Sequence, residues 1–434
     1  MQMDRLVRAL SFPTVTGAHA ELEALGNFLT EAFPRVHAGL EWERVGGHTR
    51  VYRWRGSRSG EEGVLPELYV SHMDVVPAGD AGAWSRSPWG ERSEGRIYGR
   101  GAIDVKCGMM GILEAVEGLL EGGWQPERDV WVVLGHDEET GGAEGAAAVA
   151  ARFVEQGVRL GCVWDEGGAI VENPMGEGVV AAVGVAEKGW VDVRVVARGT
   201  GGHASLAAKF NPLAELSRRV ARLPEWVLPR EIPAAGLGLV RALSAGRPLQ
   251  AAGIRLGAAL APRVLHRALA RNRDVRTQVA TLVTPTLFTA GHAANAVPDR
   301  AEVVLNCRIA PGMTRAEVVG WVRSRFPAPD YEVEAVGGSE PSPTVDPRGE
   351  AFGRLRGVVE EMGLACKTVP MVFIGITDSR HYLPCAETVL RFVPVRLTAA
   401  NRSGIHGIDE HIEESNYLEI IGFYERMLRK SGVV

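Results

Sequence analysis

VWVVLGHDEETGG (residues 130–142) opens on five apolar residues and turns, at a glycine, into a loop of adjacent acids. An apolar run of that length, closed by a turn signal, reads as a short buried strand. The same order occurs twice more. Leu68-Tyr69-Val70 runs into His72-Met73-Asp74, and Cys162 to Trp164 runs into DEGG (165–168). Around these strands lie AELEALGNFLTEAF (20–33) and GMMGILEAVEGLLEGG (108–123), with apolar residues at helical spacing. Short buried strands alternating with amphipathic helices predict an α/β layer structure, a mostly parallel sheet flanked by helices. The carboxyl edge of such a sheet is where a site forms, and the acids and the histidine fall there.

From about Gly184 the texture changes. WVDVRVVARG (190–199) alternates as a half-exposed strand, and residues 211–222 read as a helix. AEVVLNCRIA (301–310) alternates again, followed by a capped helix in TRAEVVGWVRSRF (314–326) and a strand at YEVEAV (331–336). That succession, βαββαβ, predicts a small ferredoxin-like α+β domain with one sheet face free to pair. An insertion of roughly residues 224–279 separates its first helix from its second strand, and α/β texture returns after about residue 338. The expected organisation is a discontinuous catalytic domain, about 1–185 and about 338–434, interrupted by a lid or dimerisation domain over about 186–337. An amphipathic helix is expected at 415–429.

The bulk numbers suit that picture. At 434 residues two or three domains are expected. Hydrophobic content of 46% and charged content of 23% are those of an ordinary globular enzyme. A net charge of −5 argues against nucleic acid as a partner. No stretch of about 20 apolar residues is present, so no transmembrane segment is expected. The opening MQMDRLVRALSFPTV lacks the apolar core of a signal peptide. Cys107, Cys162, Cys307, Cys366 and Cys385 are odd in number and widely spaced. They read as reduced thiols, and the expected location is cytoplasmic.

The chemistry lies in His72, Asp104, Glu139, Asp165 and His406, with Glu138 beside the third. Histidines and carboxylates at strand ends and loop starts are the inventory of a two-metal hydrolase, in which one carboxylate bridges cations about 3.5–4 Å apart. Such ligands suit zinc, with cobalt or manganese able to substitute. Asp74, two residues after His72, can accept the second ring N–H and fix the tautomer. The pair also fits a surface histidine beside a turn acid. Asp104, in GRGAIDVKCGMMG (99–111), suits either a helix N-cap or a bridging carboxylate. Adjacent side chains diverge, so Glu138 and Glu139 divide the work: one binds metal and the other takes the proton of the attacking water. Asp165, in CVWDEGG, repeats the strand-then-acid order, and His406 sits in the glycine-flanked loop SGIHGIDEHI (403–412).

At these residues the chain resembles the dinuclear zinc aminoacylase/carboxypeptidase family, which includes aminoacylase, carboxypeptidase S, acetylornithine deacetylase and succinyl-diaminopimelate desuccinylase. The resemblance extends from SFPTVTG (11–17) to HGIDEHI (406–412) and is nearest the carboxypeptidase S-like branch, which contains N-fatty-acyl amino acid hydrolases. It implies two zinc ions per chain. His72, Asp104 and Asp165 would hold one, and Asp104, Glu139 and His406 the other. Asp74 would orient His72, and Glu138 would be the general base. An Asp at position 165, rather than a Glu, resembles the aminoacylase and carboxypeptidase S side of the family.

The resemblance carries over to the small domain. His203, in GTGGHAS (199–205), matches a histidine that in relatives reaches a neighbouring subunit and stabilises the oxyanion; as a lone residue it is an ordinary loop histidine. SLAAKF (205–210) stands where a proline is usual. Asn295 matches a donor to the scissile carbonyl. Arg308 matches a clamp on the substrate's free carboxylate, and alternatively reads as a strand-end salt bridge. Thr377, Ser379 and Arg380, in GITDSRHY (375–382), resemble a loop that seats that carboxylate, with Ile376 where relatives commonly have Gly. In the insertion, Arg263, Arg267 and Arg271 recur at i, i+4, i+8. That is a basic amphipathic helix, suited to anionic lipid or a greasy entrance, or else packed on the lid.

The expectation is a metal-dependent amidohydrolase, a homodimer through the inserted domain. It cleaves an N-acyl amino acid or the C-terminal bond of a small peptide, with water activated by the metals and Glu138. A biosynthetic deacylase and a non-catalytic binding protein on the same fold are the alternatives.

Overall fold

In a computed structural model of the protein all residues are described except 174–176, 207–208, 245–246, 366 and 433–434, and of Asp274 only the backbone. Cys366 and part of SLAAKF thus lie outside the described residues. The chain divides into two compact units. One comprises Met1–Val185, Val345–Pro370 and Thr377–Val434; the other comprises Ala186–Thr344 and Met371–Ile376.

The first unit is built on a mixed ten-stranded sheet. Its centre is parallel. Glu67–His72 lies between Val130–Gly135 and Leu160–Asp165, and Ala386–Arg391 continues beside the latter. Antiparallel strands flank this core: Thr49–Trp54 and Glu41–Val45 on one side, Ala169–Glu172 paired with Val179–Glu187 on the other. Every residue of Glu67–His72 is buried, as befits a parallel strand covered on both faces. Side chains alternate across it. Leu68 and Val70 enter a cluster with Val133, Val149 and Phe153, where helix Ala146–Glu155 packs. Tyr69 turns the other way and meets Tyr424 of helix Glu414–Arg429 edge-on, with ring centroids 6.2 Å apart. That helix packs on Lys106–Glu121 so closely that a Cβ at Gly111 would come within 2.6 Å of Ile420.

The parallel strands point the same way and end near one another: His72 is level with Gly135, and Asp165 with Arg391, two residues short of the first pair. The loops that follow them therefore leave from one edge.

The second unit carries a five-stranded antiparallel sheet in the order Trp226–Val227, Thr281–Ala290, Arg300–Ile309, Gly189–Arg198, Tyr331–Ser339. Together with helices Pro212–Val220 and Arg315–Arg325, its four long strands make the βαββαβ arrangement. Val191, Val193, Val195 and Ala197 face the helices; Asp192 and Arg194 face away. Thr314 and Glu317 close a reciprocal capping box at the second helix. Among the described residues the insertion carries the α-helices Ala234–Leu243, Pro248–Leu260, Pro262–Arg271 and Arg273–Val279. Cys107, Cys162, Cys307 and Cys385 are free, buried thiols.

Candidate active site

His72 ends its strand almost wholly buried. Its Nδ1 donates to the Asp74 backbone carbonyl at 2.9 Å, and the Asp74 carboxylate is 3.5 Å away. With the proton on Nδ1, the Nε2 lone pair points into the crevice. There it faces Asp104 Oδ1 at 3.4 Å, Glu166 Oε1 at 3.8 Å and Glu138 Oε2 at 4.0 Å, without a hydrogen-bond partner. Asp74 does a second job. Its carboxylate accepts the backbone N–H groups of Glu138 and Glu139, each at 3.2 Å, and the Thr16 hydroxyl at 2.8 Å. The residue expected to orient a histidine therefore also pins the acidic loop.

Asp104 stands between the two imidazoles. Its Oδ1 faces His72, and its Oδ2 lies 3.1 Å from His406 Nε2. It caps nothing: helix Lys106–Glu121 starts after Val105 with no side-chain cap. His406 adopts a left-handed backbone, φ 56°, which turns its ring back toward Asp104 and toward Glu139 Oε2 at 3.3 Å. Two groups thus converge, one of His72, Glu138 and Glu166, the other of Asp104, Glu139 and His406.

Asp165 is not among them. Its Oδ1 accepts the Glu166 backbone N–H at 2.8 Å, and its Oδ2 accepts that of Ser379 at 2.7 Å. Successive side chains at a strand end point to opposite sides, so only one of the adjacent acids enters the crevice, and that one is Glu166. In the structure it is Glu166, and not Asp165, that faces His72. CVWDEGG offers both acids without saying which of them faces in.

The electrostatics describe a site short of positive charge. Burial, with Asp104 adding to it, pushes the Glu166 carboxyl well up. Burial likewise raises Glu138 well above the ordinary range. Hydrogen bonds that its ring donates to Asp104 and Glu139 lift His406 to about 10. Burial would raise Asp104, but His406 and His72 outweigh it and hold that carboxyl well below its usual value. Among the described residues, the ion pairs of Asp104, Glu138, Glu139 and Glu166 are all with histidine. Glu139 Oε1 is buried without a partner, as is His72 Nε2. Orphaned acceptors converging in this way are what divalent cations require.

The other expected residues divide by unit. In the second unit, His203 and Asn295 come together because Gly202–His203 pairs with Ala296–Val297. The Ala204 N–H also donates to the Asn295 carbonyl. His203 Nδ1 accepts the Ser205 N–H, which leaves Nε2–H as an exposed donor. Arg308 is not in a salt bridge among the described residues. Its Nε donates to Asn306 Oδ1 at 3.1 Å, and Asn306 in turn donates to Asp192. In the first unit, Thr377 and Ser379 are fully buried and bond each other at 2.6 Å. Their hydroxyls therefore brace the floor beneath Asp165. Arg380 donates to the Gly141 carbonyl at 2.7 Å, tying its loop to the acidic one.

Three further residues belong to this framework without having been singled out from sequence. Glu410 and Arg100 form a buried ion pair behind Asp104. Asp378 is buried against Gly135 and Gly142, where a Cβ would approach its oxygens within 2.6 Å and 2.2 Å. Both of its oxygens lack partners, and burial raises its carboxyl well above the usual range.

Residues 68–430 match Peptidase family M20/M25/M40, and the chain belongs to that family. It is similar to N-fatty-acyl-amino acid synthase/hydrolase PM20D1 of Mus musculus, 32% identical over 97% of this chain and 86% of that protein. It is also similar to the protein named "Probable carboxypeptidase S-like 2" of Dictyostelium discoideum, 28% identical over 98% and 84%. Its fold resembles the crystal structure of an M20 family metallo-carboxypeptidase from Sulfolobus solfataricus, with a TM-score of 0.72, 18% identity and 99% of both chains covered. The mixed sheet with flanking helices is the fold of this family, and the protein is a metal-dependent amidohydrolase or peptidase acting on a small molecule. No helix among the described residues is long and apolar enough to cross a membrane.

Proposed function

We propose that the protein hydrolyses the amide of an N-acyl amino acid, or the C-terminal bond of a small peptide, using two zinc ions. The observation that carries this reading is Asp104, whose two oxygens face His72 and His406. One cation would be held by His72, Asp104 and Glu166, the other by Asp104, Glu139 and His406. When bound, they supply Lewis-acid polarisation of the scissile carbonyl and of the attacking water. Glu138 takes the water's proton and returns it to the leaving nitrogen, so that water and amide become carboxylate and amine. A carboxyl raised by burial suits a group that must act as base and then as acid.

The second unit supplies recognition in this proposal. His203 Nε2–H and the Asn295 amide donate to the developing oxyanion, His203 within a neighbouring subunit's site. The guanidinium of Arg308, in no salt bridge among the described residues, binds the free α-carboxylate. The cytoplasmic assignment rests on the reduced-thiol reading of the cysteines. Curated relatives named for N-fatty-acyl amino acids favour an apolar acyl group over the polar substrates of biosynthetic deacylases.

Zinc-reconstituted protein should cleave members of a panel of N-acyl amino acids and dipeptides. Glu138→Gln should keep both metals yet lose activity by about 100-fold or more, because the residue serves the water and not the ions. Activity within a few fold of wild type, or loss of a metal, would remove Glu138 from that role.

A further inference from the structure

Large apolar side chains exposed singly are ordinary on a protein surface. The insertion departs from that. Leu249 (90% exposed), Leu256 (61%), Leu260 (75%) and Val264 (66%) all fall between residues 249 and 264. Helix Pro248–Leu260 places Leu249, Leu256 and Leu260 on one face by the helical repeat, at i, i+7 and i+11. The residues between them on that face, Ala252, Gly253 and Ala259, are exposed and apolar as well. Only Ile254 of this helix is buried. A surface helix normally turns its apolar stripe to the core and its polar residues to water; here the outward face is the apolar one.

The following helix, Pro262–Arg271, packs against this one, with Leu265 Cβ 3.4 Å from where a Cβ on Gly257 would sit. His266 and Ala270 turn inward, and His266 Nε2 donates to the Val279 carbonyl at 2.7 Å. Arg263, Arg267 and Arg271 stand exposed beside Val264. From residue 234 to 273 the chain holds seven arginines and neither Asp nor Glu, within a protein of net charge −5. The ion pair of the insertion among the described residues is Arg276–Glu225, outside that stretch. A leucine face flanked by guanidinium groups that make no ion pair among the described residues matches a partner that is apolar and anionic together. Leucines enter the acyl boundary of a bilayer while arginines extend to the phosphates.

We propose that helices Pro248–Leu260 and Pro262–Arg271 form a docking surface for an anionic lipid bilayer, on which the protein sits peripherally. The proposal is independent of the reaction assigned above, since docking can be measured on catalytically inactive Glu138→Gln protein.

Co-sedimentation with vesicles decides it. The full chain should bind phosphatidylcholine vesicles containing about a third phosphatidylglycerol, and not phosphatidylcholine alone. Binding should weaken as salt rises. Two surface double variants, Leu256→Glu with Leu260→Glu and Arg263→Glu with Arg267→Glu, should each cut the bound fraction about tenfold or more. Both should keep the wild-type unfolding midpoint, because none of the four side chains is buried. Failure of the wild type to bind anionic vesicles, or wild-type binding by the leucine variant, overturns the proposal. So does an absence of vesicle binding combined with a dimer that the leucine variant splits, since the face then covers a second copy of the chain.

Discussion

Glu410 holds Asp104 from behind. Its Oε1 accepts the backbone N–H of Asp104 at 3.1 Å and that of Ile103 at 2.7 Å, while Oε2 accepts from Gly101 and Arg100. Arg100 then donates to the carbonyls of Gly404 and Gly407, on either side of His406. One buried ion pair therefore sets the spacing between the acid that faces both imidazoles and the loop that carries His406. Its cost in desolvation is offset by these additional hydrogen bonds.

Glu410→Gln should reduce metal affinity by about 10- to 100-fold, the usual penalty for disturbing groups that orient ligands. A glutamine amide puts a donor where the loop presents only donors. Bound metal per chain after dialysis, measured beside the unfolding midpoint, checks this. A variant that keeps full metal content and full turnover would show that the loop holds its shape without the carboxylate.

The adjacent acids Asp165 and Glu166 make a paired test. Glu166→Ala should lose about one metal per chain, because its carboxylate faces His72. Asp165→Asn should keep both metals and instead lose about 1–3 kcal/mol of stability, since one of the two backbone N–H groups it satisfies is left unpaired. The opposite pattern in metal analysis would return Asp165 to the ligand set.

Much of the fold was legible because strand and helix periodicities differ. The run Val130–Leu134, the helix read from Gly108 and the βαββαβ order all appear in the structure within a few residues. Asp104, Glu139 and His406, read from turn and loop positions, lie together in the structure. Which of two neighbouring acids points inward was not legible, because strand alternation gives the relation between 165 and 166 but not its phase. Thr377 and Ser379 resemble a loop that seats a carboxylate. Sequence does not state burial for a polar residue, and the structure places both hydroxyls inside the fold, bonded to each other. The outward leucines of helix Pro248–Leu260 were hidden likewise: spacing identifies a face, and only packing says whether it is covered.

Lys188 gives a pH-dependent prediction. Its Nζ is buried and donates to the Ala280 carbonyl at 2.7 Å. Burial first, and the nearby Arg308 second, lower its pKa from 10.5 to about 7. Between those values the unfolded chain binds the proton more readily than the folded one, so stability rises with pH across that window. The favourable contribution is complete above 10.5 and is lost as pH falls through 7. Lys188→Met removes it. The wild type should therefore gain stability relative to Lys188→Met between pH 7 and pH 10, by up to about 1.4 kcal/mol per pH unit. Denaturant unfolding at the two pH values measures the difference, and a constant gap would mean that Lys188 titrates normally.

His203 tests assembly and chemistry together. Its ring is exposed, its Nδ1 is engaged by Ser205, and its Nε2–H is free to serve a carbonyl oxygen. The same unit has an edge suited to pairing. Strand Thr281–Ala290 meets Trp226–Val227 only at its start, and further along it exposes Leu287 (65%) and Phe288 (42%). If two copies pair through this unit and His203 acts across the pair, each site needs Glu138 from one chain and His203 from the other. Glu138→Gln and His203→Ala proteins, each inactive alone, should then regain activity when mixed under conditions of subunit exchange. In the mixed dimer one site keeps both residues and the other keeps neither. Random pairing makes half of the dimers mixed, so recovery should approach about a quarter of wild-type activity. No recovery after demonstrated exchange would place His203 in its own chain's site or outside the reaction.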